Sequence, residues 1–187
     1  MLSKVKPDAG KILISEPFLS DPNFKRSVVL IAEHSEEGTL GFILNQPSQF
    51  LLKDLVPDLW QADFQVFIGG PVEIDTIHFI HCCYDKLNSG EEIAKGIYWG
   101  GNFETLKILV NNNSISANEV KFFLGYSGWG IAQLGEEINE NTWIVSDQCH
   151  QDVVFSPNEE KLWREVIINL GPKYAHVSNF PRNPNLN

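Results

Sequence analysis

The chain has 187 residues, 24 acidic against 14 basic side chains and a formal net charge of −10, with 43% hydrophobic and 11% aromatic residues. That length and apolar content fit one domain with a real core and exclude a disordered chain. The acid excess argues against direct nucleic-acid binding, because phosphate contacts need clustered Lys and Arg, and Lys25–Arg26 is the longest basic cluster.

Met1–Ala9 reads as a loose tail without the apolar segment of a signal peptide, and no run is long enough to span a membrane. Three cysteines, an odd number, do not make a secreted disulfide framework. A cytoplasmic protein is expected.

Lys11–Ser15 predicts a first strand. Pro17–Phe24, with two prolines, predicts an irregular connection. Two apolar runs follow, Ser27–Ala32 and Leu40–Leu44, split by the acidic Glu33–Thr39. This pattern predicts an antiparallel hairpin with a five-residue loop, His34–Gly38. Glu33 would then face Thr39, Ser27 would face Asn45, and Gly38 would take a positive φ. Arg26, Ser27, Asn45 and Gln46 would gather at the hairpin's other end. A cationic fork beside two amides suits an anionic or amide-bearing ligand. The alternative is an Arg26 that reaches into solvent and an Asn45 that caps a turn.

Leu51–Trp60 predicts a short helix interrupted by Pro57, and Gln65–Ile68 a buried strand. Gly69–Gly70–Pro71 lets backbone approach backbone. Thr76–Cys83 predicts a strand, Tyr84–Lys95 a loop and Ile97–Trp99 a short strand. Asn102 is placed to cap a helix over Phe103–Val110. Ser116 and Glu119 have capping-box spacing for one turn before a strand at Val120–Leu124. Gly125–Trp129 is expected at a strand-to-helix junction, leading to a helix over Ile131–Asn139 with Ile131, Leu134 and Ile138 on one face. Thr142–Val145 is a further strand. Ser156-Pro157-Asn158-Glu159 reads as a cap opening a helix with the stripe Leu162, Trp163, Val166, Ile167 and Leu170. Gly171–Pro172 stops it. Pro181–Asn187 is a second tail.

The expected architecture is a single α+β domain over 1–187, ordered from about 11 to 171, on a mixed, mostly antiparallel sheet with helices packed around it.

Motifs for chemistry are incomplete. Gly125-Tyr-Ser-Gly-Trp129 departs from a nucleophile elbow at its fifth position. Its glycines could instead expose N–H groups to an anion between Tyr126 and Trp129. The reading favoured over this is that the glycines shape a turn while both aromatics pack in the core. His78 and His81 lie three apart on a strand, so they point to opposite faces and cannot chelate one ion together. Cys82 and Cys83 have no flanking Lys or Arg to lower their pKa and read as plain buried thiols. Gly69–Gly70–Pro71 is neither a P-loop nor a dinucleotide fingerprint. No metal and no cofactor is expected.

The stretch from Pro17 to Pro47 resembles the YqgE/AlgH family (UPF0301). The resemblance is carried by Pro17, Leu19, Asp21-Pro22, Phe24, Arg26–Val29, Glu33–His34, Gly38, Gly41, Asn45 and Pro47. It continues at Gly69–Pro71, Phe79–His81, Leu124–Trp129, Gln133–Leu134, Trp143 and Trp163–Arg164. The resemblance implies a sheet curling into a partial barrel, no settled activity, and for one branch a transcriptional-regulator label. That label and the −10 charge agree best if regulation runs through a protein partner. The candidate site is therefore Arg26, Ser27, Asn45, Gly69, Gly70, Tyr126, Ser127 and Trp129, without an assigned catalytic role. Its expected ligand is a small anionic molecule or a partner's peptide. The alternative is a hydrolase of small phosphorylated or acyl compounds using Ser127, His34 or Glu33. A homodimer sharing aromatic surface is compatible with five tryptophans and twelve phenylalanines.

Overall fold

The computed structural model describes residues 5–60, 62–175 and 178. Strand β1 (Ile12–Ser15) lies antiparallel between β10 (Trp143–Ser146) and β2 (Val28–Ser35). β2 turns into β3 (Gly38–Ile43), which pairs with the end of the long strand β9 (Val120–Trp129). β9 also pairs with β6 (Val72–His81) and runs parallel to β5 (Gln65–Ile68). β5 carries β4 (Pro47–Leu51), and β6 carries β8 (Ile97–Trp99) and then β7 (Glu91–Ala94). The result is an α+β fold on one ten-stranded, mostly antiparallel sheet that does not close into a barrel.

Helices cover both faces, which is why the strands read as near-continuous apolar runs. On one face Phe42, Ile80 and Phe123 pack under α5 (Gln151–Val154) and α6 (Glu159–Asn169). Trp163 of α6 donates its indole N–H to the Ser15 carbonyl at 3.0 Å and anchors that helix to β1. On the opposite face Val66, Phe122 and Leu124 pack with Leu106 and Val110 of α3 (Phe103–Asn111). A third cluster joins Val29, Ile31 and Ile43 to Leu134 and Ile138 of α4 (Gln133–Asn139).

Several expectations match closely. Asn102 caps α3 by accepting from the Thr105 N–H at 2.9 Å. Ser116 and Glu119 close one turn, with Ser116 Oγ donating to Glu119 Oε2 at 3.0 Å. His78 and His81 do lie on opposite faces. The His78 ring packs with Phe42 and Tyr126, and His81 stacks on Tyr98 and packs with Phe79.

The departures have physical causes. Val29 pairs with Ile43 and Ile31 with Gly41, the register expected at the open end of the hairpin. A bulge between Ile31 and Glu33 then shifts it, so Glu33 faces Leu40 rather than Thr39. The turn shortens to Glu36 and Glu37 instead of five residues. Gly38 has φ +153°, and a Cβ there would lie 2.7 Å from the Trp129 carbonyl. Gly125–Trp129 is not a strand-to-helix junction; it continues β9 because β3 and β6 both pair with it. Ile131 is exposed and precedes α4, so only Leu134 and Ile138 of the expected face are buried.

The Ser156 cap is displaced too: α6 begins at Glu159, after Asn158, and Ser156 Oγ accepts the Asn158 N–H at 3.3 Å, outside the helix. The stretch 84–95 is not all loop; it holds the single turn α2 (Tyr84–Leu87) and β7. The helix expected before Pro57 is the single turn α1 (Leu52–Leu55), preceded by β4, which strand periodicity alone did not reveal. The tail expected at Pro181–Asn187 lies outside the described residues, as do residues 1–4 of the other tail.

Candidate functional site

The eight candidate residues fold into three places. The first is a knot around Arg26, Ser27 and Asn45. Arg26 takes a left-handed backbone conformation, φ +52°, which is unfavourable for a long side chain unless its surroundings fix it. Asn45 fixes it. Its Oδ1 accepts the Val28 N–H at 2.9 Å and its Nδ2 donates to the Arg26 carbonyl at 2.9 Å. The amide thus bonds the backbone on both sides of Ser27. Ser27 is fully buried. Its N–H donates to Ser15 Oγ at 2.9 Å and its hydroxyl accepts from Gln46 Nε2 at 2.8 Å. Gln46 also donates to the Asn23 carbonyl at 2.8 Å, tying down the Pro17–Phe24 connection.

This backbone geometry aims Arg26 across to α6, with its guanidinium 4.8 Å from the centroid of the Trp163 ring. Between the two walls lies a groove of about 1210 Å³. Lys25 and Arg26 line one side, and Lys161 and Arg164 of α6 line the other, with Glu159 and Glu160 beside them. Asn45 and Gln46 contribute to the floor. Arg164 carries part of the family resemblance, but its place beside Lys161 in a site was not evident from sequence. Their i,i+3 spacing puts them on one helix face, a signal present in the chain, but nothing local says which strand end that face meets.

The second place is a backbone crossing. Gly69 and Gly70 pass so close to Gly125 and Tyr126 that a Cβ on either would overlap the facing carbonyls. Ser127 is fully buried there, and its hydroxyl donates to the Gly69 carbonyl at 3.0 Å. The glycines let chain approach chain, and Ser127 is engaged in holding the crossing together.

The third place holds Tyr126 and Trp129, which line a smaller groove of about 380 Å³ with Glu33, Glu37, Leu40 and Val72. Trp129 itself is buried, stacked on Phe24 and edge-on to Trp143. Both indoles donate to Glu137 Oε2, at 2.9 and 2.7 Å. His34 Nδ1 is 2.7 Å from Thr39 Oγ1, within a local pair on the hairpin.

The cysteines are free thiols. Burial pushes the Cys83 and Cys149 thiols up to about 11, and Cys82 is raised for the same reason, so all stay protonated near neutrality. Burial also lowers His78 and His81, leaving them neutral imidazoles at physiological pH. Among the described residues no cluster of His, Cys, Asp or Glu could hold a metal ion. No helix among them is long and apolar enough to cross a membrane.

The architecture has solved counterparts. A crystal structure of a Corynebacterium diphtheriae protein superposes with a TM-score of 0.78 over 94% of each chain, at 22% identity. The solution structure of the AlgH protein from Pseudomonas aeruginosa superposes at 0.71 over 96% of this chain and 98% of that one, also at 22% identity. At that identity the likeness concerns the fold. Sequence relatives are nearer. A UPF0301 protein of Chlorobaculum tepidum is 40% identical over 178 residues, 95% of both chains. One from Chlorobium limicola is 39% identical over 184 residues, covering 98% of this chain and 97% of its own. A family profile described as AlgH-like matches residues 12–175, nearly the whole chain. The chain belongs to the AlgH-like (UPF0301) family.

Proposed function

We propose that this chain is a non-enzymatic binding protein of the cytosol that captures an anionic group, on a small molecule or on a partner's peptide, in the groove around Arg26. The observation that carries this reading is the gathering of Lys25, Arg26, Lys161 and Arg164 at one groove of a chain whose net charge is −10. Arg26 is held over the Trp163 ring by a backbone that Asn45 fixes, which reduces the ordering needed on binding. A guanidinium of this kind suits the two oxygens of a carboxylate or phosphate. Glu159 and Glu160 at the start of α6 would reject an anion at their end, so the Lys25–Arg26 side receives it. A regulatory role would run through such a partner rather than through direct nucleic-acid contact.

Native against denaturing mass spectrometry of protein purified gently from its own cytosol tests the reading. Acetate, inorganic phosphate and a hexaglutamate peptide then serve as binding probes. A discrete adduct, or probe binding that weakens with salt, is expected in the parent and is lost in Arg26→Ala/Arg164→Ala with an unchanged circular-dichroism spectrum. Binding that survives the double substitution, or a parent that takes up no adduct and no probe, overturns it.

A further inference from the structure

The smaller groove, at the far end of the β2–β3 hairpin, has the opposite charge. Leu40, Val72 and the half-buried Tyr126 contribute its apolar side chains. Gly128 lies beside the Tyr126 ring, and a Cβ there would meet Tyr126 Cε2 at 3.4 Å. Its rim is acidic, with the exposed Glu33 and Glu37. Glu73, also exposed, directly follows Val72.

The placement of Glu33 depends on the bulge in β2. Val29 and Ile31 pack toward α4, whereas Leu30 and Ala32 pack on the other face. Unbroken alternation would send Glu33 after Ile31 toward α4. The shift between Ile31 and Glu33 instead makes it the cross-strand neighbour of Leu40, which belongs to the opposite face. Bulges re-aim side chains in this way. Here the bulge brings a carboxylate to the edge of an apolar groove. Glu33, Glu37 and Glu73 form no salt bridge among the described residues.

We propose that this groove is a docking site for a basic peptide, with the stem of a Lys or Arg side chain on Leu40, Val72 and the Tyr126 ring and its cationic head between Glu33 and Glu37. Charge complementarity selects this occupant. An apolar stem with a charged tip matches an apolar floor with an acidic rim, and a cation gains further from the face of Tyr126. The site is independent of the anion-binding groove: the two share no lining residue.

The test uses a fluorescein-labelled peptide of alternating Leu and Arg in anisotropy titrations at physiological salt, with amide chemical-shift mapping on the full chain. Glu33→Gln/Glu37→Gln should weaken binding by about tenfold or more, the loss expected when charge-assisted contacts at one site become neutral. Glu136→Gln/Glu140→Gln removes the same charge from the exposed side of α4 and from the residue that caps its C-terminus and should change binding by less than about twofold. Shifts centred on Leu40, Val72, Tyr126 and Gly128 support the proposal. Equal weakening by both double variants would mean attraction to net charge alone and overturn it. Peptide shifts centred elsewhere would also overturn it, and so would sedimentation showing that Glu33→Gln/Glu37→Gln dissociates a self-associated form, which would assign the groove to a second copy.

Discussion

Lys121 offers a measurement of how this fold tolerates a charge in its core. It sits on β9, only 5% exposed, facing the side of the sheet that α5 and α6 cover. Its Nζ donates to the Val154 carbonyl at the end of α5 at 3.2 Å and lies 4.1 Å from the Phe67 ring centroid. Burial pulls its pKa from 10.5 down to about 8, the dominant influence, with the Glu159 charge acting in the opposite direction. A drop of that size corresponds to about 3 kcal/mol of differential stability between the charged and neutral forms. The sign follows from linkage. Between about 8 and 10.5 the unfolded chain holds the proton and the folded chain does not, so the free energy of unfolding rises with pH across that window.

Lys121→Met keeps the stem and removes the charge. At pH 7 it should be neutral to stabilising by about 1–2 kcal/mol, since the Val154 carbonyl loses a donor while the desolvation penalty disappears. Urea unfolding of both proteins at half-unit steps from pH 7 to pH 10.5 isolates this group, because other titrations largely cancel in the difference. The parent should gain on the variant by up to about 1.4 kcal/mol per pH unit at the steepest point. A difference that stays flat across the window would refute the assignment of a desolvated, charge-penalised lysine.

Three further outcomes follow from the geometry. Asn45→Ala removes an acceptor from Val28 N–H and a donor from the Arg26 carbonyl. It should destabilise by about 2–4 kcal/mol, and Tm in a thermal melt should fall by roughly 2–4 °C per kcal/mol. Asn45→Asp, which keeps only the acceptor, should fall between the two, and an unchanged Tm in the alanine variant would show that the amide does not hold Arg26 in place. Gly69→Ala places a Cβ against the Gly125 carbonyl and should reduce soluble folded yield far more than Ser127→Ala, which loses one buried hydrogen bond at about 1–2 kcal/mol; equal effects would mean that the crossing is not tight. Glu137→Ala strands the indole N–H groups of Trp129 and Trp143. It should cost roughly 2–3 kcal/mol and shift tryptophan fluorescence, a change absent from Glu136→Ala.

The sequence by itself determined the elements whose signal is local. β1 and the two arms of the hairpin are legible because both faces of these strands are buried and the chain must be apolar throughout. The Asn102 cap, the Ser116–Glu119 turn and the buried stripe of α6 rest on contacts three or four residues apart. His78 and His81 could be separated by strand alternation alone. Gly69–Gly70–Pro71 is recognisable from its residue types alone as a place of close backbone approach.

What tertiary structure decided depends on residues far away in the chain. Gly125–Trp129 looks like a turn in isolation, and only pairing with β3 and β6 keeps it a strand. The one-residue bulge in β2 leaves no mark in composition, yet it moves Glu33 to the other face of the sheet. Arg26 and Asn45 were legible as a polar pair at a hairpin mouth. That the amide is consumed by the backbone, while Lys161 and Arg164 arrive from α6 to complete a cationic groove, follows from packing across more than a hundred residues. The burial of Lys121 is the same lesson in reverse. A lysine in a strand is ordinarily at the surface, and only the packing of α5 and α6 onto that face takes this one out of water.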